Sequence, residues 1–183
     1  MKIKLFITIC ISIILLLVAS IMWLRHKREL AGRDRCLSVL RSTGSAIGQY
    51  CNDNNGNLPP SFSLLGKGCY LGDESWYICH GGSSKHGDWT NIKEWMDYIY
   101  IPWPGTTGVY EKYPVMYDRR LSNHGSRGIN ILLVAQVIHP AVPTSPDSFH
   151  GQFFWDEGAQ WLQKFAKDHP EYNIPLPDDL DKK

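Results

Sequence analysis

The sequence predicts an α+β protein: one long N-terminal helix, half in a membrane and half packed on a small sheet with irregular loops. Three observations carry this. Leu5 to Leu24, LFITICISIILLLVASIMWL, is twenty residues without a charge. Leu30, Leu37, Leu40, Gly44, Ile47 and Cys51 then recur at spacings of 7, 3, 4, 3 and 4, which is one stripe of a helix. From Ser61 onward glycines, prolines and aromatics punctuate short extended runs, of which INILLVAQVI (Ile129 to Ile138) is the most apolar. The chain has 183 residues; without the apolar segment, roughly 150 remain, enough for one small domain.

The apolar segment comes first. Twenty residues at ~1.5 Å each span ~30 Å, the thickness of a hydrocarbon core. A cleaved signal peptide would have a shorter apolar region, about 7–15 residues, followed by a small-residue site. Val18-Ala19-Ser20 is a poor site and the run continues past it, so a retained anchor is expected over residues 1–24. Arg25, Lys27, Arg28, Arg33 and Arg35 follow as a membrane-flanking collar. Taken alone, these charges place the large domain in the cytoplasm. Four cysteines in the soluble part, Cys36, Cys51, Cys69 and Cys79, suit two disulfides outside the cytosol instead.

Residues 25–56 read as an amphipathic continuation of the same helix, because only Gly32 weakens the stretch between Leu24 and Arg35. Cys36, Ala46 and Tyr50 widen the stripe, and Gly44 and Gly48 allow a sheet to approach closely. Gly56 fits a left-handed cap, and Pro59-Pro60 prevents continuation. Residues 57–172 form the loop-rich sheet domain. CYLGDESWYIC (Cys69 to Cys79) reads as a hairpin or irregular turn, and GGSSKHG (Gly81 to Gly87) as a loop. Asn91 to Tyr98 reads as a short helix. YIYIPW and YPVMYD are strand-like, and INILLVAQVI belongs at the centre of the sheet. DEGAQWLQKFAKDH is a helix with Ala159, Leu162, Phe165 and Ala166 inward and Asp156 at its N-cap. Residues 173–183 read as a mobile tail.

Helix geometry restricts the cysteines. Cys36 and Cys51 are 15 positions apart, ~22 Å along a continuous helix, whereas a disulfide needs Cα atoms within ~7 Å. If all four are oxidised, each helix cysteine bonds to Cys69 or Cys79. Either arrangement staples the loops to the helix.

Three stretches then resemble a known family. CLSVLRSTGSAIGQYCNDNNGNLPP (Cys36 to Pro60) is similar to its Cys-x-x-Asn-Leu helix followed by Tyr, an Asp/Asn-rich stop, Gly and Pro. In SWYICHGG, Cys79 falls at its Cys-Pro-Ser position. YDRRLSNHGSRGINILLVAQVI resembles its Asp…Asn-His-Gly-Gly…Asn-Val-Leu segment through Asp118, His124, Gly128 and Asn130. The family is that of the type IV pilin-like pseudopilins of the type II secretion superfamily, in the group with a His-x9-Asp-Gly signature. The resemblance implies a pilin-like fold in which the helix packs on a small antiparallel sheet. It implies a single-pass protein of the inner (cytoplasmic) membrane, N-terminus cytoplasmic and main domain outside. Its role would be that of a structural or accessory subunit of a secretion or pilus-like apparatus, with other pilin-like subunits as partners of the anchor helix. It also favours a Cys36–Cys79 disulfide, leaving Cys51–Cys69. The chain departs from the family in its span, where no Gly or Ala precedes Leu5-Phe6 and no acid stands between Leu5 and Leu24. It departs again where Ala135-Gln136 replace the Asp-Gly turn.

Other chemistry finds little support. The net charge of +1 favours no nucleic acid. Cys79-His80 are adjacent, a poor geometry for a nucleophile and its base. His80-Gly81-Gly82 lacks a Gly-x-Ser-x-Gly elbow, and no phosphate loop is present. His80, His86 and His124 with Asp118 lack compact ligand spacing. Hence no catalytic residue, cofactor or metal is expected. Asp118 and His124 are expected to hydrogen-bond loops beside the central strand. Trp76, Tyr77, Trp89, Trp95, Tyr98, Tyr100, Trp103 and Tyr110 are expected mostly in the core, with the remainder available to a glycan or an envelope protein. An anchored module binding such a ligand is the alternative function.

Overall fold

The computed structural model describes residues 2–55, 57–79, 87–102, 113–124, 128–134, 149–154 and 157–180. Helix α1 is a single uninterrupted α-helix, Lys2–Asp53, of 52 residues. One helix among the described residues is long and apolar enough to cross a membrane, and it is this one. Phe6, Ile13, Leu16, Met22 and Trp23 on its first half are all exposed. Its second half is buried along the expected stripe: Leu40, Gly44, Ile47 and Cys51 are covered, with Cys36 and Ala46 beside them. Asparagine chemistry ends the helix. Asn54 Nδ2 donates to the Tyr50 carbonyl at 2.8 Å, and Asn57 Nδ2 to the Asn54 carbonyl at 2.9 Å. Asn55 takes the left-handed conformation, φ 56°, which asparagine tolerates better than most residues. Gly56, the expected cap, lies outside the described residues.

Four strands form one antiparallel sheet in the order β1-β2-β3-β4: β1 Tyr98–Tyr100, β2 Tyr113–Asp118, β3 Ile129–Val134 and β4 Phe149–Phe154. Tyr98 pairs with Asp118, Tyr117 with Ile131, and Ile129 with Phe154. The register shifts between Pro114 and Met116, where proline has no N–H for the ladder. Every residue of β2 and of β3 is buried, because both faces of the sheet are covered. Helix α1 covers one face, over β3 and β4. Gly151 of β4 lies so close to it that a Cβ there would stand 2.9 Å from Arg41 Cγ. On the other face lie α4 (Glu157–Asp168) and the C-terminal segment, with Phe165 and Tyr172 in edge contact with Tyr113.

Several expectations need correction. Of the two readings of Cys69 to Cys79, the hairpin does not form and the irregular turn does: a 3-10 turn, Glu74–Tyr77, stands there, since Gly72-Asp73 separates two runs too short to pair. The helix expected over Asn91 to Tyr98 contracts to α3, Ile92–Trp95, because β1 claims Tyr98 for the sheet. The tail expected to be mobile is docked over residues 173–180. The Asp178 N–H donates to the Arg119 carbonyl at 2.9 Å, the Asp179 carboxylate accepts from the Leu121 and Ser122 N–H groups, and Ile174 is buried. Two elements were not foreseen, α2 (Phe62–Lys67) and β4. The 81–86 part of the expected loop, Asp156 and the Ala135-Gln136 turn lie outside the described residues.

Candidate functional site: a buried Cys-Cys-His-Asp cluster

The cluster sits on the α1 side of the sheet, where five chain segments meet. Cys36 comes from α1, on the turn preceding Leu40. Asp118 ends β2 and Asn130 lies near the start of β3; on both strands the residues facing α4, such as Ile129, alternate with these. His124 closes a 3-10 turn, Leu121–His124, between the two strands. Cys79 arrives from the loop before α3. Asp97 fixes that loop: its carboxylate accepts the Cys79 N–H at 2.8 Å, its own N–H donates to the Tyr77 carbonyl, and its carbonyl accepts from Arg119. Cys36, Cys79, His124 and Asp118 are each at most 3% exposed.

The Sγ atoms of Cys36 and Cys79 are 3.0 Å apart, too far for a disulfide, whose S–S bond is about 2.05 Å. His124 Nε2 is 3.8 Å from Cys79 Sγ, 3.4 Å from Asp118 Oδ2 and 3.0 Å from Asn130 Nδ2. Asp118 Oδ2 also accepts the Asn130 N–H at 2.6 Å. Two buried oxygens, Asp118 Oδ1 and Asn130 Oδ1, have no hydrogen-bond partner among the described residues, an expensive condition in a core. The electrostatics are those of a thiolate beside an imidazolium. A hydrogen bond from Cys79, helped by His124 and Tyr98, pulls the Cys36 thiol down to about 4. Burial opposes charge on His124, but the Asp118 carboxylate and Cys36 outweigh it and hold the imidazole up at about 9. Burial raises the Asp118 carboxyl above its ordinary range. Such a cluster can hold a cation between thiolate and imidazole ligands, or close a disulfide when an external oxidant takes two electrons and solvent takes the thiol protons. Its burial keeps macromolecular substrates from the sulfur.

Of the residues singled out in the sequence, the structure brings together Cys36, Cys79, Asp118, His124 and Asn130. Gly128, also buried, precedes β3. None of the five cysteines is in a disulfide. The anticipated Cys51–Cys69 bond is not formed: Cys51 is buried near the end of α1, while Cys69 is exposed and held in a left-handed turn, φ 60°. His80 and His86 lie outside the described residues. Sequence reasoning missed Asp97, whose role is visible only through the loop it holds. It also missed Tyr98 as a neighbour of Cys36; its pairing with Asp118 puts it there.

Of the candidate surface aromatics, Tyr77, Trp95 and Tyr98 are buried, and Trp89 and Tyr100 pack against the core. Phe62 joins Tyr77, Trp89 and Tyr100 in one aromatic cluster. The side chains of Trp76, Trp103 and Tyr110 lie outside the described residues. Beyond the apolar half of α1, the exposed large hydrophobics among the described residues are Leu64 and Leu176. No protein-family model, curated protein or solved structure matches this chain.

Proposed function

We propose that this chain is a pseudopilin-like, single-pass protein of the inner (cytoplasmic) membrane, serving as a structural or accessory subunit of a type II secretion or pilus-like apparatus. The observation that carries this reading is the undivided helix α1, whose apolar half is exposed and whose other half is buried on a four-stranded sheet. In water the exposed half would be strongly unfavourable. In a bilayer it is solvated by lipid and free to pack laterally with other helices. Because the helix is unbroken, a force or displacement applied to the span is transmitted directly to the domain. The N-terminus is cytoplasmic and the sheet domain extracytoplasmic. The function is mechanical and needs no catalytic group.

Two measurements test the reading. A C-terminal alkaline phosphatase fusion should be active in cells; an inactive, stable fusion removes the exported domain. Photo-crosslinkers at Ile13 and Leu16 should capture other pilin-like subunits in cells carrying the apparatus. Capture of none at either position sinks the assembly role.

A further inference from the structure

We propose that Cys36, Cys79 and His124, with Asp118 as fourth ligand, form a structural binding site for a tetrahedral divalent cation of the zinc class. This inference stands independently of the secretion role.

The donor set is the first argument. Two cysteine sulfurs and an imidazole nitrogen lie mutually within 4.8 Å, all buried. Thiolate and imidazole together select zinc-like ions over calcium or magnesium, which prefer oxygen. Two thiolates balance a divalent charge, and the Asp118 carboxylate adds one net negative charge that the Asn130 N–H partly offsets.

Geometry is the second. With metal bonds of about 2.3 Å to sulfur and about 2.0 Å to nitrogen and oxygen, a tetrahedral site has edges of about 3.8 Å (S···S), about 3.5 Å (S···N) and about 3.3 Å (N···O). The corresponding separations here are 3.0 Å for Cys36–Cys79, 3.8 Å for Cys79–His124 and 3.4 Å for His124–Asp118. Two of these three edges match to within about 0.3 Å; the sulfurs must part by about 0.8 Å, and Cys36 Sγ and the His124 nitrogen, within 4.8 Å of each other, must settle at about 3.5 Å, adjustments within the reach of side-chain torsions.

The unsatisfied polar atoms are the third. An imidazole Nε2 that carries a metal has no proton to donate, so a carboxylate 3.4 Å away is placed as a neighbouring ligand. Asp118 is fully buried and its Oδ1 has no hydrogen-bond partner among the described residues. Coordination through Oδ2, the oxygen 3.4 Å from Nε2, compensates the charge of that buried carboxylate. Asn130 Nδ2, 3.0 Å from Nε2, gives up that contact when the cation takes the nitrogen lone pair. Its backbone N–H remains on Asp118 Oδ2 and orients the carboxylate.

Binding changes no oxidation state. The Cys79 thiol proton and the His124 Nε2 proton leave to solvent, and bonds form between the ion and both sulfurs, Nε2 and the Asp118 carboxylate. The ion would then join α1, the 79 loop and the β2–β3 connection, segments 43 and 45 residues apart in sequence. That is the fastening otherwise supplied by a disulfide. The two states exclude each other, because oxidised sulfurs cannot ligate as thiolates.

The test uses full-length protein in detergent, reduced and stripped with a chelator, then titrated with Co2+. One equivalent should produce thiolate-to-cobalt charge transfer and the ligand-field bands of a tetrahedral site, both erased by Zn2+. Cys36→Ser and Cys79→Ser should each weaken binding at least tenfold, while Cys69→Ser leaves it unchanged. Asp118→Asn should keep the charge-transfer bands and lower affinity. Should the cysteine variants fold poorly, alkylation of the wild type mapped by mass spectrometry replaces them: Zn2+ should protect Cys36 and Cys79 and spare Cys69 labelling. Absence of cobalt bands in the wild type, or bands indifferent to both cysteine variants, overturns the site. So does protein isolated from cells without metal and with a quantitative Cys36–Cys79 disulfide.

Discussion

At the residue scale, close approaches and single hydrogen bonds decide what each position tolerates. Gly158 begins α4 against the sheet, and a Cβ there would stand 2.3 Å from Phe154 Cβ and 2.7 Å from Ile129 Cγ2. Neither neighbour is the free end of a flexible chain. Gly158→Ala should therefore cost about 1–3 kcal/mol through overpacking, measured by chemical denaturation. Asp179 works through its carboxylate, which caps the 3-10 turn leading to His124 by accepting the Leu121 and Ser122 N–H groups. Burial pushes this carboxyl up, but those donors prevail and hold it below its ordinary range. A depressed folded-state pKa means the tether is present at neutral pH and is lost as pH falls through that lowered value. Hydrogen exchange at Leu121 and Ser122 should accordingly lose protection at acid pH in the wild type. In Asp179→Asn protection should be low throughout, and equal protection in the two proteins would refute the tether.

At the element scale, α1 belongs to two environments. Its inner half is core: Leu40 and Ile47 are fully buried beneath β3 and β4. Leu40→Ala should cost about 2–5 kcal/mol, the range for a leucine whose cavity does not collapse. Between the halves, Ala31 is exposed and makes no such contribution. Proline there removes a helical hydrogen bond and kinks the rod at about 3 kcal/mol or more. Ala31→Pro should leave the unfolding of the sheet domain unchanged yet abolish crosslinking through the span, which depends on the anchor's direction. An unaltered crosslinking pattern would show that the rod need not be straight. β4 shows the opposite case, an element set by its neighbours. His150-Gly151-Gln152 interrupts any apolar alternation, so Phe149–Phe154 does not announce a strand. Gly151 makes sense only beside Leu37 and Arg41 of α1.

For the whole molecule, the exposed apolar half of α1 contributes nothing to the packed domain. Deleting residues 1–24 should give a protein soluble without detergent whose melting temperature matches that of the full chain in detergent. A large drop would mean that the span stabilises the domain. The rest is closed by its own ends. The C-terminal segment returns to Arg119, Tyr117 and the Leu121–His124 turn, so Pro175, Asp178 and Asp179 help position the cluster that the helix begins.

Local signals were legible in the sequence alone. A charge-free run of twenty residues is long and apolar enough to cross a membrane by composition alone, and a stripe from Leu30 to Cys51 states its buried face by period, because both depend on near neighbours along the chain. The end of α1 at the asparagines, the β2 and β3 segments and α4 were readable for the same reason. The cluster was legible only as separate letters: Cys36, Cys79, Asp118, His124 and Asn130 could be singled out, and a likeness suggested pairing the two cysteines. Nothing in their spacing says that five segments meet within a few ångströms. That was decided by the sheet register, which sets Tyr98 opposite Asp118 and turns Asp118 and Asn130 toward α1, and by the Asp97 contacts that carry Cys79 to Cys36. Composition and periodicity determine which surface a segment buries; only long-range packing determines which buried groups must share a site.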